Sequence, residues 1–306
     1  MTIEQRSDQV EQLVCCPICR STRTKHLSPA YRDDSLVDCL DCDLRFAYPL
    51  PTAEDLAKLY DETYYQIYDP GYRGYDDYEA DQHNLLRTFD RRIKYIMRSS
   101  PPAGRLLDVG CAHGFFLQAA ANAGWDVYGI DISAYAIEYA RQRFGDHVMQ
   151  GQFPDSTLPN NHFQVITMWD YLEHTLDPRA ELKKAHELMT DNGILAVYTP
   201  ELGSLPARVM RHRWLHYKTE HLFYFSRKVI RRLLEEAGFQ VISSRYEGKH
   251  ISLDSFLRRL PLYLPVLNRP VKRLRGAHPI RRHSIYMNPF DFMLVLARKT
   301  HTAEVQ

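Results

Sequence analysis

The feature that most constrains the fold of this chain is a regular alternation of short apolar runs and helical segments, which begins near residue 103. Several helical segments begin at a serine or aspartate and end at a glycine, which are the usual boundary signals. The apolar runs predict strands at 105–109, 127–131, 147–149, 165–168, 194–198, 239–243 and 292–297. The segments between them predict helices at 115–123, 134–144, 178–189 and 227–237. Because such alternation produces parallel sheets covered on both faces, we expect an α/β fold with a doubly wound, mostly parallel, seven-stranded sheet.

Composition excludes several classes of protein. The 306 residues contain 39 Lys and Arg against 38 Asp and Glu, and a net charge of +1 does not indicate a polycation that coats nucleic acid. Hydrophobic residues make up 44% and charged residues 25% of the chain, which is typical of globular proteins. No apolar run reaches the ~18 residues of a membrane-spanning helix, and the first residues lack the apolar segment of a signal peptide. We therefore expect a cytoplasmic protein.

Five of the six cysteines lie within the first 42 residues and include two C-x2-C pairs, which are 19 residues apart. This spacing is typical of four-cysteine zinc sites, and the expected ligands are Cys16, Cys19, Cys39 and Cys42. Disulfides are disfavoured in a reducing cytoplasm. Four thiolates leave zinc no open position, so the site should be structural. We expect a zinc ribbon over residues 13–50, although the sequence alone does not firmly rank Cys15 and Cys16 as ligands.

Residues 51–100 form a second block, which is rich in tyrosine. Its tyrosines include Tyr60, Tyr64, Tyr65, Tyr68, Tyr72, Tyr75 and Tyr78. Near its end, apolar residues recur at helical spacing, at Leu85, Leu86, Phe89, Ile93 and Ile96. We expect a helical bridge that lies on the following domain, residues 101–300, with tyrosines that pack with their hydroxyls in water rather than line a ligand pocket.

The ligand site of a doubly wound sheet lies at the carboxyl ends of its strands. The first strand runs into Asp108-Val109-Gly110-Cys111-Ala112-His113-Gly114, and the second ends 23 residues after Asp108, at Asp131. Gly110 permits a tight turn that a ligand can approach, and an acid at position 131 can accept both ribose hydroxyls of a nucleoside. A dinucleotide and S-adenosylmethionine (SAM) both fit this description. SAM is favoured, because Asp108 would repel a pyrophosphate but attract an ammonium or sulfonium, and Ala112 replaces a glycine of the dinucleotide fingerprint.

Three segments resemble motifs of class I SAM-dependent methyltransferases. Residues 107–114 are similar to the first motif of the family, and residues 163–174 (FQVITMWDYLEH) resemble its fourth-strand motif. Trp214 followed by residues 220–226 (EHLFYFS) resembles a motif of one subset. Members of that subset carry an N-terminal zinc ribbon and act on sugars, quinones and other small metabolites. The resemblance implies a Rossmann-like methyltransferase fold that uses SAM.

The resemblance extends from Cys16 to about Lys299, and it implies roles for the matching residues. Asp108 would interact with the methionine ammonium, and Asp131 would hold the ribose. The residues expected to line the methionine are Gly110, Cys111 and Gly114, with Met168 and Trp169 beneath it facing the methyl group. Those expected near the adenine are Ile132, Gln152 and Phe153. The chain departs from the family pattern at Ala112, where glycine is usual, and at Gln152, where an acid is common.

Methylation of an oxygen or an acidic carbon requires a base. The candidates are His174, at the carboxyl end of the fourth strand, and His221, with Glu173 and Glu220 beside them in sequence. Histidine suits this role because its ordinary pKa is near neutrality. The alternative is that Glu173 and His174 organise the loop and the tyrosine block, and that His221 is a wall of the acceptor pocket. We expect O-methylation in preference to C-methylation.

An insert at about residues 250–288 is strongly basic, since residues 258–290 contain eight Lys and Arg and no acid. Such an insert suits an anionic membrane surface or a phosphorylated substrate. Pairing with the acidic residues of segment 54–90 is the alternative. We expect a small-molecule methyltransferase. The competing functions are an RNA methyltransferase that uses the ribbon and the insert, and a non-catalytic SAM-binding module.

Overall fold

The computed structural model describes residues 14–28, 36–59, 81–101, 104–257 and 283–300. The strands are β1 (Thr24–His26), β2 (Leu36–Cys39), β3 (Arg45–Ala47), β4 (Arg105–Val109), β5 (Asp126–Asp131), β6 (Val148–Gln150), β7 (Phe163–Trp169), β8 (Met189–Pro200), β9 (Phe223–Tyr224), β10 (Phe239–Tyr246), β11 (Lys249–Ser252), β12 (Ser284–Met287) and β13 (Phe292–Lys299). The helices are α1 (Ala53–Leu59), α2 (Gln82–Ile96), α3 (Phe115–Asn122), α4 (Ala134–Phe144), α5 (Pro178–Leu188), α6 (Leu205–Met210) and α7 (Arg227–Glu236).

Seven strands form the central sheet, in the order β10-β13-β8-β7-β4-β5-β6. β4 pairs in parallel with β5 and β7, and the parallel pairing continues to β6 on one side and β8 on the other. β13 runs antiparallel between β8 and β10. The predicted α/β fold with a doubly wound, mostly parallel, seven-stranded sheet is confirmed. β8 extends over Met189–Pro200, beyond the predicted 194–198. At its start Met189 pairs with Phe163 of β7, and at its end Thr199 and Pro200 pair with β13.

The predicted capping residues begin three of the helices that cover this sheet. The side chains of Ser133, Asp177 and Ser226 each accept a hydrogen bond from a backbone N–H in the first turn of the following helix. Such caps stabilise a helix because its first N–H groups have no partner inside the helix. The starts of α4, α5 and α7 therefore match the prediction.

Residues 13–50 do not form the whole of the N-terminal sheet. Its strand order is β1-β2-β3-β9. The fourth strand, β9, lies far along the chain, after β8 of the central sheet. Arg45 and Phe46 of β3 pair with Tyr224 and Phe223. Buried residues of both parts, such as Leu44 and Leu234, belong to one hydrophobic cluster. The cysteine-bearing segment is therefore packed onto the main body of the protein.

The helix predicted near the end of the 51–100 block is present as α2. Phe89, Ile93 and Ile96 form its buried face, as the spacing predicts. The ring of Phe89 packs edge-on against Phe116 of α3, with 5.4 Å between the centroids. α2 therefore lies on the central domain, at the edge where β4 and β5 end.

Two predicted features lie outside the described residues, namely the seven tyrosines between Tyr60 and Tyr78 and the eight basic side chains between Arg258 and Arg282. The strands that flank the basic stretch, β11 and β12, pair antiparallel. Within the described ranges, no helix combines the length and the apolar character needed to cross a membrane.

Candidate functional site

A cavity of about 360 Å³ opens at the carboxyl ends of β4, β5 and β7. The loop after β6, residues 151–155, and side chains of α1 and α2 complete its wall. Its walls carry apolar and aromatic side chains, among them Leu85, Phe89, Phe116 and Trp169, together with a few acids and bases. The cavity lies where ligands bind in doubly wound sheets, and its size suits a small-molecule site.

Asp108 lies in β4 and reaches the cavity from a buried position. The Thr167 hydroxyl in β7 donates a 2.6 Å hydrogen bond to its carboxyl group. Burial raises the pKa of Asp108 to about 8, and the Thr167 hydrogen bond opposes this shift only in part. A carboxyl group in this state gains strongly from a bound cation, because a positive charge would offset the desolvation of the carboxylate.

Asp131, at the end of β5, is held by the backbone on both oxygens. The N–H of Ala112 donates to one oxygen and the N–H of Ser133 to the other, each over 2.9 Å. Burial raises the pKa of Asp131, while these N–H donors counteract the rise. The two N–H groups orient the carboxylate in the cavity wall, where its remaining lone pairs can accept hydroxyl groups of a ligand.

The turn after β4 requires glycine at position 110 for two reasons. Gly110 has φ +74°, and a Cβ there would lie 2.7 Å from the ring of Tyr171. Ala112, the departure from the family pattern, also adopts a positive φ of 46°. Its N–H nevertheless points at Asp131. The alanine is therefore accommodated without loss of the hydrogen bond that orients the acid.

Most of the predicted cofactor residues line this one cavity. They are Asp108, Gly110, Cys111, Asp131, Ile132, Gln152, Phe153 and Trp169. Gly114 and Met168 are not among its lining residues. Gly114 packs beside Phe144, whose ring would be 2.8 Å from an added Cβ. Met168 is fully buried in the hydrophobic cluster on the other face of the sheet, because neighbouring side chains of a strand alternate in direction.

Sequence reasoning missed Arg92 of α2, which also lines the cavity. Its side chain is only 2% exposed, and its guanidinium lies 3.7 Å from the ring centroid of Tyr198 and 4.9 Å from that of Trp169. Its buried Nε has no hydrogen-bond partner among the described residues. Helical spacing contains a signal for this residue, because Arg92 falls on the same face as Phe89, Ile93 and Ile96. A buried charge without a hydrogen-bond partner costs free energy, and an anion bound beside Arg92 would offset this cost.

Of the three candidate catalytic residues, only His174 lines the cavity. Its ring lies edge-on to that of His221, with 4.7 Å between centroids. Burial lowers the pKa of His174 to about 3, so the ring is neutral at physiological pH. Glu173 is fully buried and does not line the cavity, and burial raises its pKa well above the usual range. The structure thus groups Glu173, His174 and His221, with ligand atoms within 4.8 Å of one another, but brings only His174 to the cavity wall.

The four predicted metal ligands converge at the N-terminal sheet. The Sγ atoms of Cys16 and Cys42 are 3.7 Å apart, those of Cys19 and Cys39 are 3.3 Å apart, and all four lie within 4.8 Å. A tetrahedron with zinc–sulfur bonds of ~2.3 Å has edges of about 3.8 Å, so the cluster has a suitable size. Cys15 is exposed, and its thiol is directed to the carbonyl of Arg20. The geometry therefore selects Cys16 over Cys15.

The fold and the site define a class I SAM-dependent methyltransferase. The sequence model of a family described as "Methyltransferase domain" matches residues 81–244, and the chain belongs to this family. A SAM-dependent methyltransferase of Archaeoglobus fulgidus has the same fold, with a TM-score of 0.51 and 16% identity over 72% of this chain and 99% of that one.

Two relatives share a shorter stretch of sequence. The chain is 30% identical over 116 residues to a ubiquinone biosynthesis O-methyltransferase of Actinobacillus pleuropneumoniae, a match that covers 34% of this chain and 50% of the relative. It is 26% identical over 125 residues to the enzyme of the same name from Yersinia pestis, covering 38% and 52%. The chain spans about half the length of the curated relatives it matches.

Proposed function

We propose that this methyltransferase transfers the methyl group of SAM to an oxygen atom of a small-molecule acceptor. The observation that carries the proposal is that Asp108, Asp131 and the neutral imidazole of His174 line one largely apolar cavity. The relatives named O-methyltransferases support oxygen as the acceptor atom. The acceptor class we expect is a sugar, a quinone precursor or another hydroxylated metabolite.

Three ionisable residues on the cavity wall would hold SAM. Asp131 would accept the ribose hydroxyls, since both its oxygens are already oriented by backbone donors. Asp108 would face the ammonium group of the methionine part. Arg92 would bind the methionine carboxylate, because its guanidinium lies near Asp108 and has a buried nitrogen without a partner. The residues proposed to enclose the adenine are Ile132, Gln152 and Phe153.

His174 is the proposed base, because it alone of the three candidates lines the cavity and its ring is neutral, so it can take up the proton of an acceptor hydroxyl. Its pKa of about 3 makes it a weaker base than an ordinary histidine. When bound, SAM supplies an electrophilic methyl group on a positively charged sulfur that becomes neutral once the methyl has left. A proton held by His174 after transfer therefore leaves the net charge of the cavity unchanged. His221, edge-on to His174, would fix the orientation of the imidazole.

Zinc is the metal we propose for the four-cysteine cluster, in a structural role. Four thiolates complete a tetrahedral site and leave no position for a substrate. A reducing cytoplasm, the location that the sequence predicts, would keep these thiols available for the metal.

The decisive test is a screen with methyl-labelled SAM. The purified protein is incubated with fractionated metabolite extracts, and in parallel with total RNA, and the labelled product is identified by mass spectrometry and by the chemical shift of its methyl group. We expect the label on an oxygen of a small molecule, and no labelling with the Asp131→Ala variant. Label confined to RNA, or label on carbon alone, would contradict the proposal.

A further inference from the structure

The short helix α6 presents an aliphatic pair to solvent. Leu205 is 70% exposed and Val209 is 72% exposed, more than any other large hydrophobic side chain in the described ranges. The two residues are four apart and therefore share one face of the helix. The opposite face is anchored, because Ala207 and the capping Ser204 are buried. The aliphatic side chains are thus directed outward by a well-packed helix.

Unpaired positive charge surrounds this pair. Arg208, Arg211 and Arg213 are exposed, and none of them forms an ion pair with a described residue. The sequence contains no acid between Glu201 and Glu220. We call the five exposed side chains the α6 surface, namely Leu205, Arg208, Val209, Arg211 and Arg213. Surface arginines are ordinarily interspersed with acids, so a cluster of one sign beside exposed aliphatic groups indicates a partner.

The α6 surface lies at the edge of the sheet where the cavity opens. α6 follows the carboxyl end of β8, which runs parallel to β7. Beyond it the chain reaches His216, whose ring packs edge-on against Phe292 at 4.5 Å between centroids. Lys249, a residue of the cavity wall, lies 5.8 Å from the centroid of the same Phe292 ring. The segment that follows α6 is therefore linked through Phe292 to a residue of the cavity wall.

We propose that the α6 surface docks onto an anionic lipid bilayer. Leu205 and Val209 enter the boundary between headgroups and acyl chains, and the three arginines lie against lipid phosphates, the arrangement of peripheral membrane helices. A second copy of the chain fits less well, because a two-fold contact would place like charges opposite each other. Single-stranded RNA fits less well too, because its binding sites use exposed aromatic side chains for stacking, whereas the exposed apolar pair here is aliphatic.

The test is flotation of the full-length protein with vesicles of phosphatidylcholine, alone or with added phosphatidylglycerol. The variants are Leu205→Ser/Val209→Ser, Arg208→Gln/Arg211→Gln/Arg213→Gln, and the control Ile242→Ser, which changes a 39% exposed aliphatic residue on the edge strand β10. Thermal unfolding of each variant verifies that the fold is kept. The same proteins are compared by size-exclusion chromatography and by binding to fluorescent single-stranded RNA.

We expect the wild-type protein and Ile242→Ser to float with the anionic vesicles only. The serine pair should abolish flotation, and each arginine removed should weaken it by about fivefold, since one basic residue near an anionic surface contributes ~1 kcal/mol. No flotation of the wild type, or equal flotation of the serine pair, overturns the proposal. So does a dimer that the serine pair converts to a monomer, or RNA binding that the arginine variant alone loses. None of these outcomes depends on the acceptor or on methyl transfer.

Discussion

The backbone N–H of Leu222 donates a hydrogen bond to the carbonyl oxygen of Glu173 over 2.8 Å. On its other side, the carbonyl of Leu222 accepts a 2.8 Å hydrogen bond from the N–H of Ala47 at the end of β3. One residue thus joins the sheet that carries the four cysteines to the 3-10 turn Leu172–His174. We therefore expect the position of His174 in the cavity to depend on an intact N-terminal sheet.

The first prediction concerns metal removal. Cys39→Ser should lower the zinc content from about one per chain and lower Tm by roughly 5 °C or more, since a structural metal contributes directly to folding. Amide hydrogen exchange should accelerate at residues 172–174 and 220–224, because both segments meet at Leu222. Metal analysis and exchange mass spectrometry measure these effects. SAM affinity should change less, because Asp108 and Asp131 lie on β4 and β5.

Cys15→Ser is the matched control, because Cys15 is exposed and outside the four-sulfur cluster. It should retain zinc, Tm and exchange rates. A Cys39→Ser protein that lacks zinc but exchanges like the wild type at residues 172–174 would show that the ribbon and the 3-10 turn Leu172–His174 are independent.

The second prediction concerns the proposed ribose contact. Asp131→Ala should raise the Kd for SAM by about 100-fold or more, because two charge-assisted hydrogen bonds are each worth ~1.5–3 kcal/mol. Asp131→Asn keeps one acceptor oxygen and should give an intermediate Kd. Asp126→Asn, at the exposed first position of the same strand, is the control. Unchanged calorimetric affinity in Asp131→Ala refutes the assignment.

The third prediction concerns Arg92, the residue that the sequence analysis did not identify. Arg92→Met should weaken SAM binding by about tenfold or more, because it removes the cation proposed to face the methionine carboxylate. Arg92→Lys should recover only part of the affinity, since a lysine does not reproduce the planar, stacked guanidinium over Tyr198. Lys94→Met, an exposed site on the same helix, should leave the Kd unchanged. A purely structural role would instead lower Tm and spare the affinity of the folded protein.

Local patterns in the sequence predict much of this structure. Apolar runs of strand length predict the strands of the central sheet, and capping residues predict the starts of α4, α5 and α7 correctly. They also place Asp108 and Asp131 near the carboxyl ends of two strands. Because those strands are parallel neighbours, the acids must meet at one edge of the sheet. The main elements of the cavity therefore follow from the sequence.

Two kinds of feature are harder to predict from the sequence: the face of the sheet on which a side chain lies, and the pairing of strands that are far apart in the chain. Met168 and Trp169 are adjacent and both apolar, and only the packed sheet shows that Trp169 faces the cavity. Nothing local to Phe223 indicates that it pairs with Phe46. Gly114 belongs to the motif, yet the structure places it beside Phe144. Each of these depends on contacts between segments that are far apart in the chain, which periodicity alone does not describe.

The fourth prediction concerns the proposed base. His174→Gln should lower kcat by about 100-fold or more, the usual contribution of a general base, while the Kd for SAM changes little. Burial lowers the pKa of His174 to about 3 in the free protein, so the ring stays neutral as pH falls from 8 to 5. The profile of kcat/KM should therefore show no acid limb near pH 6.5. An acid limb at that pH that disappears in His174→Gln would mean that His174 is the base but has an ordinary pKa, which contradicts the lowered value.

The fifth prediction concerns the cost of the buried acid Asp108. Burial raises its pKa to about 8, whereas the carboxyl ionises near pH 3.8 in the unfolded chain. The folded state therefore binds more protons over this range, and stability falls as pH rises from about 4 to about 8. Each tenfold separation of the two ionisation constants corresponds to ~1.4 kcal/mol, so the loss of folding free energy approaches a few kcal/mol at the upper end of this pH range.

The variant Asp108→Asn keeps an oxygen for the Thr167 hydroxyl and removes the titration. The Tm of Asp108→Asn minus that of the wild type should increase from pH 5 to pH 8. The variant should not bind SAM. A difference in Tm that stays constant with pH, measured against Asp126→Asn as an exposed control, would show that Asp108 is ionised in the ligand-free protein and carries no such penalty.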